Sequence, residues 1–381
     1  MSANGPVRSV AIITSIAFSM ANFRGPLIRR MVSKGITVYA LAPDYGEQTR
    51  AAVRALGATP IDISLERTGL HPARDLADMV RLAVTLRRLR PDLVFGYFIK
   101  PVIYGTLAAR LAGIQRRYAL VAGLGYVFTP DGSRYSAKRQ ILRSVASTLY
   151  RVAFRLCDRV FLQNSDDLEV LCSRGLLPRD KAVLISGSGV DLARFQPAQP
   201  IVSPVTFVLV ARLLREKGIV EYVEAARRIK ESESDVRFLL LGDVDSNPGG
   251  LKREDVERWV AEGVIEWPGQ VPDVRTWLAQ SSVFVLPSYR EGKPRSTQEA
   301  MAMALPVITT DAPGCRDTVE EGINGFKVPV RDARALEAAM RRFIDAPELI
   351  AQMGQASRVL AERLFDVHRI NDAMLDAMRL N

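Results

Sequence analysis

Short aliphatic and β-branched runs recur along the chain at 7–14, 37–42, 93–96, 159–163, 205–211, 237–242, 283–287 and 306–310, and apolar residues at helical spacing lie between them. Runs of this length predict buried strands, and their alternation with 3.6-residue periodicity predicts successive βαβ units and parallel sheets. The pattern breaks at 195–204, a segment with three prolines and little periodicity, which reads as a linker. The resulting expectation is an α/β protein of two Rossmann-like domains facing across a cleft. They are assigned to residues 1–195 and 204–365, with a final helix in 366–381 that packs on either domain, the first being favoured. No internal repeat and no low-complexity tract interrupts the pattern.

Two apolar segments need separate treatment. The run 10–23 follows a single basic residue, Arg8, and ends without a small-residue cleavage site, so a buried first strand running into a loop explains it better than a signal peptide. No stretch approaches the ~20 apolar residues of a membrane span. In the helix predicted over 136–156, Ile141, Leu142, Val145, Leu149, Val152, Ala153 and Leu156 share one sector. Arg139, Arg143, Arg151 and Arg155 lie opposite, with Lys138 breaking the division. An apolar loop at 121–128 carrying Gly123, Gly125, Tyr126 and Phe128 precedes it. This pairing suits an anionic bilayer surface, while a core-packed helix with a solvated basic face fits the same pattern.

Composition sharpens the picture. The 381 residues are 48% hydrophobic and 25% charged, enough to bury large cores. The three cysteines, Cys157, Cys172 and Cys315, are odd in number and widely spaced, which argues against a disulfide framework and fits a reducing compartment. Only two histidines occur, His71 and His368, so a His-rich zinc site is excluded. The net charge of +10 is uneven: residues 1–200 hold 28 basic against 14 acidic side chains, and residues 201–381 hold 24 against 28. A basic first half faces an anionic partner, a membrane surface or a nucleic acid. A general abundance of Arg accounts for the total but not for its concentration in one half.

The chemistry concentrates in the second half. The segment 286–313 (LPSYREGKPRSTQEAMAMALPVITTDAP) predicts a strand ending near Leu286, a loop holding Glu291, and a helix over 295–304 that Pro294 opens at its first turn. Free N–H groups and the positive dipole end suit a phosphate there. Glu299, in an otherwise apolar stretch, needs a partner if buried; a ribose diol or a nearby arginine would serve. A second strand ends at Arg212, and Lys217 follows just before Gly218. Ligands of open α/β folds bind beyond the carboxyl ends of strands, and two cations at such an end neutralise a diphosphate, although each alone is equally a solvated charge. The turn 186–191 carries little information by itself. Asp243 and Asp245 match a metal-binding D-x-D at chance level and read as a surface loop. No G-x-G-x-x-G follows the first strand, and no Walker loop is present.

Taken together, these residues resemble the retaining glycosyltransferases of family 4, which have the GT-B fold. The family's E-x7-E signature stands as Glu291 and Glu299 within EGKPRSTQE, and its R-x4-K pair as Arg212 and Lys217. The segments 306–319 (PVITTDAPGCRDTV) and 324–326 (NGF) also match. The resemblance spans essentially the whole chain. It implies that Arg212 and Lys217 hold and stabilise the departing donor diphosphate. It implies that Glu291 contacts the transferred sugar, that backbone around Gly292, Lys293, Pro294 and Arg295 approaches its hydroxyls and the phosphates, and that Glu299 binds the ribose. Same-face attack through an oxocarbenium-like state would retain the anomeric configuration, a donor phosphate oxygen taking the acceptor's proton. No metal and no cofactor beyond the sugar nucleotide are implied.

In the first half, Asn22, Phe23 and Arg24, 98–105 (FIKPVIYG) and 123–128 (GLGYVF) are similar to a bacterial subgroup acting on polyprenyl-diphosphate-linked sugars. Well-known members of it add N-acetylgalactosamine, α1,3, to a lipid-linked amino sugar. Two departures stand out: the first loop, 15–24, lacks paired glycines, and Lys100 stands where many members carry a histidine. Lys100 is therefore assigned to the reaction centre, touching the diphosphate of either donor or acceptor. The resemblance implies a UDP-sugar donor, with an N-acetylhexosamine as the favoured sugar, and a lipid-linked glycan acceptor. It implies a cytoplasmic enzyme lying peripherally on the anionic inner face of the plasma membrane through its basic N-terminal half. The competing readings are a transferase with another donor or a soluble acceptor, a nucleotide-sugar epimerase, and a basic nucleic-acid-binding protein, for which no reading module is present.

Overall fold

The computed structural model describes residues 5–65, 72–124, 137–245, 247 and 249–380, with the side chains of Pro72 and 137–142 left aside. His71, Gly125, Tyr126, Phe128, Lys138, Arg139, Ile141 and Leu142 thus lie outside the described residues or side chains. The chain forms two compact units, residues 1–188 with 368–381, and residues 189–367.

In the first unit, β1 (Ser9–Ile13), α1 (Ala17–Ser33), β2 (Thr37–Ala42), α2 (Glu47–Arg54), β3 (Thr59–Asp62), α3 (Pro72–Leu89), β4 (Leu93–Tyr97), α4 (Thr106–Leu111), β5 (Arg116–Val121), α5 (Ala137–Leu156), β6 (Arg159–Leu162), α6 (Ser165–Ser173) and β7 (Ala182–Leu184) follow in turn. All seven strands are parallel, in the order β3-β2-β1-β4-β5-β6-β7. Val10, Ile12, Leu93, Phe95, Leu120 and Phe161 are fully or almost fully buried, as expected for strands covered by helices on both faces.

In the second unit, β8 (Thr206–Val210), α7 (Ile219–Lys230), β9 (Arg237–Leu241), α8 (Arg253–Ala261), β10 (Glu266–Gly269), α9 (Arg275–Leu278), β11 (Val283–Leu286), α10 (Arg295–Ala302), β12 (Val307–Thr310), β13 (Gly325–Val328), α11 (Ala333–Asp345) and α12 (Glu348–Leu364) repeat the plan. This sheet is also parallel, in the order β10-β9-β8-β11-β12-β13. Both units are therefore Rossmann-like parallel-sheet domains.

The last helix, α13 (Val367–Met378), belongs to the first unit's core: Met374, Leu375 and Met378 are fully buried, with Ile370 nearly so. Burial of such side chains stabilises by roughly 1.5–3 kcal/mol each, and the Tyr118 hydroxyl donates to the Met378 carbonyl at 3.3 Å. The surface pair of Arg30 and Asp372, about half exposed on both sides, adds little by comparison.

Two local expectations are corrected. In α5 the buried face is Tyr150, Ala153 and Phe154, whereas Val145 and Val152 are 52% and 43% exposed. The aromatic residues occupy the core side of this helix and turn the two valines outward. In α10 the helix stops at Ala302 instead of Ala304. Leu305 and Pro306 follow directly, and Ala304 takes a left-handed conformation with φ 61° to make the turn.

Candidate functional site

In each sheet the strand order reverses once, between β1 and β4 and between β8 and β11. The carboxyl ends of strands at such a reversal open into a crevice that helices cannot cover. In the second unit, the loop after β8 carries Arg212 and Lys217, and the loop after β11 carries Glu291, Gly292 and Lys293. Five of the candidate residues thus come together because of strand order, although more than seventy positions separate those of one loop from those of the other in sequence.

The two loops are stitched to each other. The Tyr289 N–H and the Ser288 hydroxyl both donate to the Glu216 carbonyl, at 2.9 and 3.0 Å. Gly218 follows Lys217 with φ 73°, and a Cβ there would overlap the Pro287 carbonyl, so only glycine lets the loops meet. Lys217 and Glu291 then form an ion pair whose side chains are each 14% exposed. The Glu291 backbone N–H donates to the Pro313 carbonyl at 3.0 Å. Gly314, with φ 76°, lies where a Cβ would strike the Glu291 and Gly292 carbonyls.

Arg212 is half exposed and held by Asp245 at 2.6 Å, the carboxylate itself being 9% exposed. The surface-loop reading of Asp243 and Asp245 therefore holds for only one of them. Asp243 pairs with Arg253 at 2.8 Å, and Asp245 turns inward to position Arg212. Two carboxylates each engaged by an arginine do not make a metal cage. Among the described residues, no group of three or more His, Cys, Asp or Glu side chains is arranged to hold an ion.

α10 begins at Arg295 as expected, and Pro294 is its capping residue, with ψ 122°. As in any helix, the N–H groups of the first turn point out of its N-terminal end, and Pro294 has no side-chain acceptor to offer them. Lys293 is 10% exposed, pairs with Asp317 at 3.2 Å and sits 6.0 Å from the Phe365 ring. One turn into α10, Glu299 accepts from Arg295 at 2.8 Å. Both readings of Glu299 stay compatible with this: the arginine pairs it here, and a diol can share the carboxylate. Burial pushes the Glu299 carboxyl up, partly opposed by Arg295. Nearby, burial pushes the Cys315 thiol up to about 12, so it is no thiolate nucleophile.

In the first unit, Lys100 follows β4 at the other strand reversal. Its ammonium donates to Asp75 of α3 at 2.7 Å, with side chains 12% and 6% exposed, and the Tyr104 hydroxyl lies 3.4 Å from the same carboxylate. Backbone irregularities frame it: Phe98 has φ 72°, and Pro101–Gly105 forms a π-helical turn. Such strain in a bulky residue, beside a π-turn, is characteristic of functional loops. At the end of β1, the Ser19 hydroxyl bonds the Tyr97 hydroxyl at 2.7 Å and that of Thr14 at 3.1 Å. The buried Arg24 guanidinium lies 5.3 Å from the Tyr97 ring.

The sequence reading missed Asp75, Asp245 and Asp317, the carboxylates that fix the cations. The pairs they make span 25, 33 and 24 residues, and no periodicity marks a contact of that kind.

Comparison with known proteins places these features in context. Residues 26–194 match the model described as Glycosyltransferase Family 4, and residues 204–346 match that of Glycosyl transferases group 1. The chain is 26% identical to the N,N'-diacetylbacillosaminyl-diphospho-undecaprenol alpha-1,3-N-acetylgalactosaminyltransferase of Campylobacter jejuni, over 89% of this chain and 90% of that protein. It is 27% identical to an Escherichia coli UDP-Gal:alpha-D-GlcNAc-diphosphoundecaprenol alpha-1,3-galactosyltransferase, over 71% of each. Among solved structures, Anabaena HepE in complex with UDP-glucose superposes with a TM-score of 0.76 at 16% identity, over 97% of this chain and 99% of that one.

Proposed function

From the premise that this chain belongs to the glycosyltransferases, with a family 4 domain followed by a group 1 domain, we propose that it moves a sugar from a UDP-sugar to a polyprenyl-diphosphate-linked saccharide with retention of configuration. The favoured sugar is N-acetylgalactosamine or another N-acetylhexosamine, and the setting is bacterial surface glycan assembly. The observation that carries the reading is the meeting of Arg212, Lys217, Glu291 and the N-terminal end of α10 beyond β8 and β11. Three positive elements and one carboxylate at a strand reversal suit a diphosphate bearing a hydroxylated sugar.

In this mechanism Arg212 forks onto the diphosphate and Lys217 neutralises the oxygen that leaves the anomeric carbon. The anomeric C–O bond to phosphate breaks, the acceptor oxygen bonds on the same face, and its proton passes to the departing phosphate oxygen. Preorganised cations lower the barrier because they face charge that develops only as the bond breaks. Glu291 and the backbone of Gly292, Lys293, Pro294 and Arg295 orient the sugar, and Glu299 accepts from the ribose. Lys100, held by Asp75, contacts a diphosphate of donor or acceptor. No metal is required in this scheme.

The acceptor assignment is supported by the relatives from Campylobacter jejuni and Escherichia coli, both of which act on undecaprenol-diphosphate-linked sugars by name. The UDP assignment is supported by the UDP-glucose complex of Anabaena HepE. No helix among the described residues is long and apolar enough to cross a membrane. A lipid-linked acceptor therefore calls for peripheral attachment, through the basic first unit, to the anionic inner face of the plasma membrane.

The test is nucleotide release from a panel of UDP- and GDP-sugars, with and without a polyprenyl-diphosphate-linked monosaccharide. Acceptor-dependent UDP release with one N-acetylhexosamine supports the proposal, and release with another donor replaces the sugar alone. Interconversion of sugars without an acceptor would point to an epimerase. Folded protein that neither releases nor binds UDP would overturn the site assignment. Salt-sensitive binding of random duplex DNA at micromolar affinity, without transfer, would favour a nucleic-acid-binding role.

A further inference from the structure

The helix that supplies Asp75 to the buried Lys100 pair has a second face. On α3, Leu76, Val80 and Val84 are 56%, 50% and 45% exposed, four residues apart and so nearly in line along the helix. They span about two turns, or about 12 Å at 1.5 Å per residue. The opposite side is conventional: Leu82 and Leu86 are buried against the sheet. Leu111, at the end of α4, is 53% exposed and adjoins the stripe, because the Arg87 guanidinium donates to its carbonyl at 2.9 Å.

Charge on this face is one-sided. Arg81, Arg88 and Arg110 are exposed, as are Arg87 and Arg90. The two acids of α3 are both turned inward: Asp75 is 4% exposed and engaged by Lys100, and Asp78 is 2% exposed and engaged by the Ser64 hydroxyl at 2.6 Å and by Arg81 at 3.0 Å. The exposed side of α3 therefore presents aliphatic side chains among guanidinium groups, with no carboxylate among the described residues of the helix. Water alone does not favour three aligned aliphatic side chains on an otherwise polar helix face.

We propose that the α3 face lies on the anionic phospholipid bilayer, with Leu76, Val80, Val84 and Leu111 entering the headgroup–acyl boundary and the flanking arginines engaging lipid phosphates. Apolar residues at helical spacing, rimmed by cations with long stems, match an interfacial surface. A nucleic acid would meet the guanidinium groups but find no role for the aliphatic stripe. A second copy of the chain would set this positive face against itself. The inference deepens the lipid-linked reading by naming the face that docks. It also places the docking helix and the anchor of Lys100 on one element, α3, so that the bilayer and the Lys100 loop are one helix diameter apart.

The experiment is flotation of the full chain with phosphatidylcholine vesicles, with and without phosphatidylglycerol, at low and high salt. The variants are Leu76→Gln/Val80→Gln/Val84→Gln, Arg88→Glu/Arg110→Glu, and Val145→Gln/Val152→Gln as the comparison on α5. All seven positions are exposed, so each variant is checked for native thermal unfolding and for transfer to a detergent-solubilised acceptor. The expected result is salt-sensitive binding of the native chain to anionic vesicles, reduced about tenfold or more by either α3-face variant, with transfer in detergent unchanged and the α5 variant binding normally. Native-like binding by both α3-face variants overturns the proposal. So does loss only in the α5 variant, which would make α5 the docking helix, or a dimer that the α3 variants dissociate, which would make a second copy the occupant. A native chain that ignores anionic vesicles while using a soluble acceptor defeats the lipid-linked reading itself.

Discussion

Lys217 and Glu291 are paired with each other, yet each is assigned a different partner during the reaction, and a double-mutant cycle separates the two roles. Both side chains are 14% exposed. Unit charges 4 Å apart interact by about 4 kcal/mol at an effective dielectric of ~20, and desolvation of the two ions offsets part of this. Lys217→Met leaves a largely buried carboxylate without its cation and should cost about 2–3 kcal/mol. In a unit of 179 residues, Gly189–Val367, that corresponds to roughly 5–10 °C in the unfolding midpoint. Glu291→Gln leaves the ammonium with a neutral partner and should cost less, about 1–2 kcal/mol. The double variant removes both charges and should recover to within ~1 kcal/mol of the native protein. Activity should behave differently. Lys217→Met should lower kcat by about 10²–10³, the loss of one preorganised donor at a leaving group, and the double variant should recover none of it. Differential scanning fluorimetry and steady-state nucleotide release read the two quantities. The reasoning is refuted if the double variant is as unstable as Lys217→Met, or if Lys217→Met turns over normally.

Further expectations follow from the same geometry. Glu299→Gln should raise the donor KM about tenfold or more by weakening a charge-assisted bond. Because burial raises the carboxyl pKa in the folded state, its contribution to stability is fully present below the unfolded value and declines as pH rises through the folded one. The Gln variant, without bound donor, should therefore lose less stability than the native protein between mildly acidic and neutral pH, as thermal melts at several pH values would report. Asp245→Ala frees Arg212 from its 2.6 Å partner and should raise KM several-fold with a smaller change in kcat; an equal fall in kcat would mean that Asp245 acts in the transition state. Gly218→Ala places a Cβ on the Pro287 carbonyl at φ 73°, so it should destabilise by about 1–3 kcal/mol and lower activity with it; an unchanged melting curve would contradict the close approach of the two loops. Treatment with a chelator should leave transfer rates unchanged, and recovery on adding Mg²⁺ or Mn²⁺ after a loss would argue for a metal in the site.

The parts of the fold legible in the sequence are those whose side chains are buried on both faces. All eight expected strand runs coincide with β1, β2, β4, β6, β8, β9, β11 and β12. The strands left unread are mostly the outer ones: β3, β7, β10 and β13 lie at the sheet ends. β3 and β10 contain proline and have only exposed or half-buried positions, and β7 is three residues long. Edge position relaxes the demand for a continuous apolar run. β5, an inner strand, was hidden by the two arginines that open it, Arg116 and Arg117. Among the candidate site residues, Arg212, Lys217 and Glu291 in the loops after β8 and β11, and Glu299 on α10, could be picked out because short motifs fix their spacing. Asp75, Asp245 and Asp317 were not, because their role is to hold a cation that another loop delivers. The exposed line of Leu76, Val80 and Val84 was equally hidden, since an outward apolar stripe and an inward one have the same period.

The central claim is most directly tested by incubating the protein with UDP-[¹⁴C]N-acetylgalactosamine and a polyprenyl-diphosphate-linked N-acetylhexosamine, then following label into the organic phase and reading the new linkage by NMR. The account predicts lipid-extractable label in an α-linkage, formed about 10²-fold or more slowly by Lys217→Met. A β-linked product would contradict retention. Label that stays in the aqueous phase for every donor tried, with folded protein and intact acceptor, would contradict the lipid-linked transferase itself.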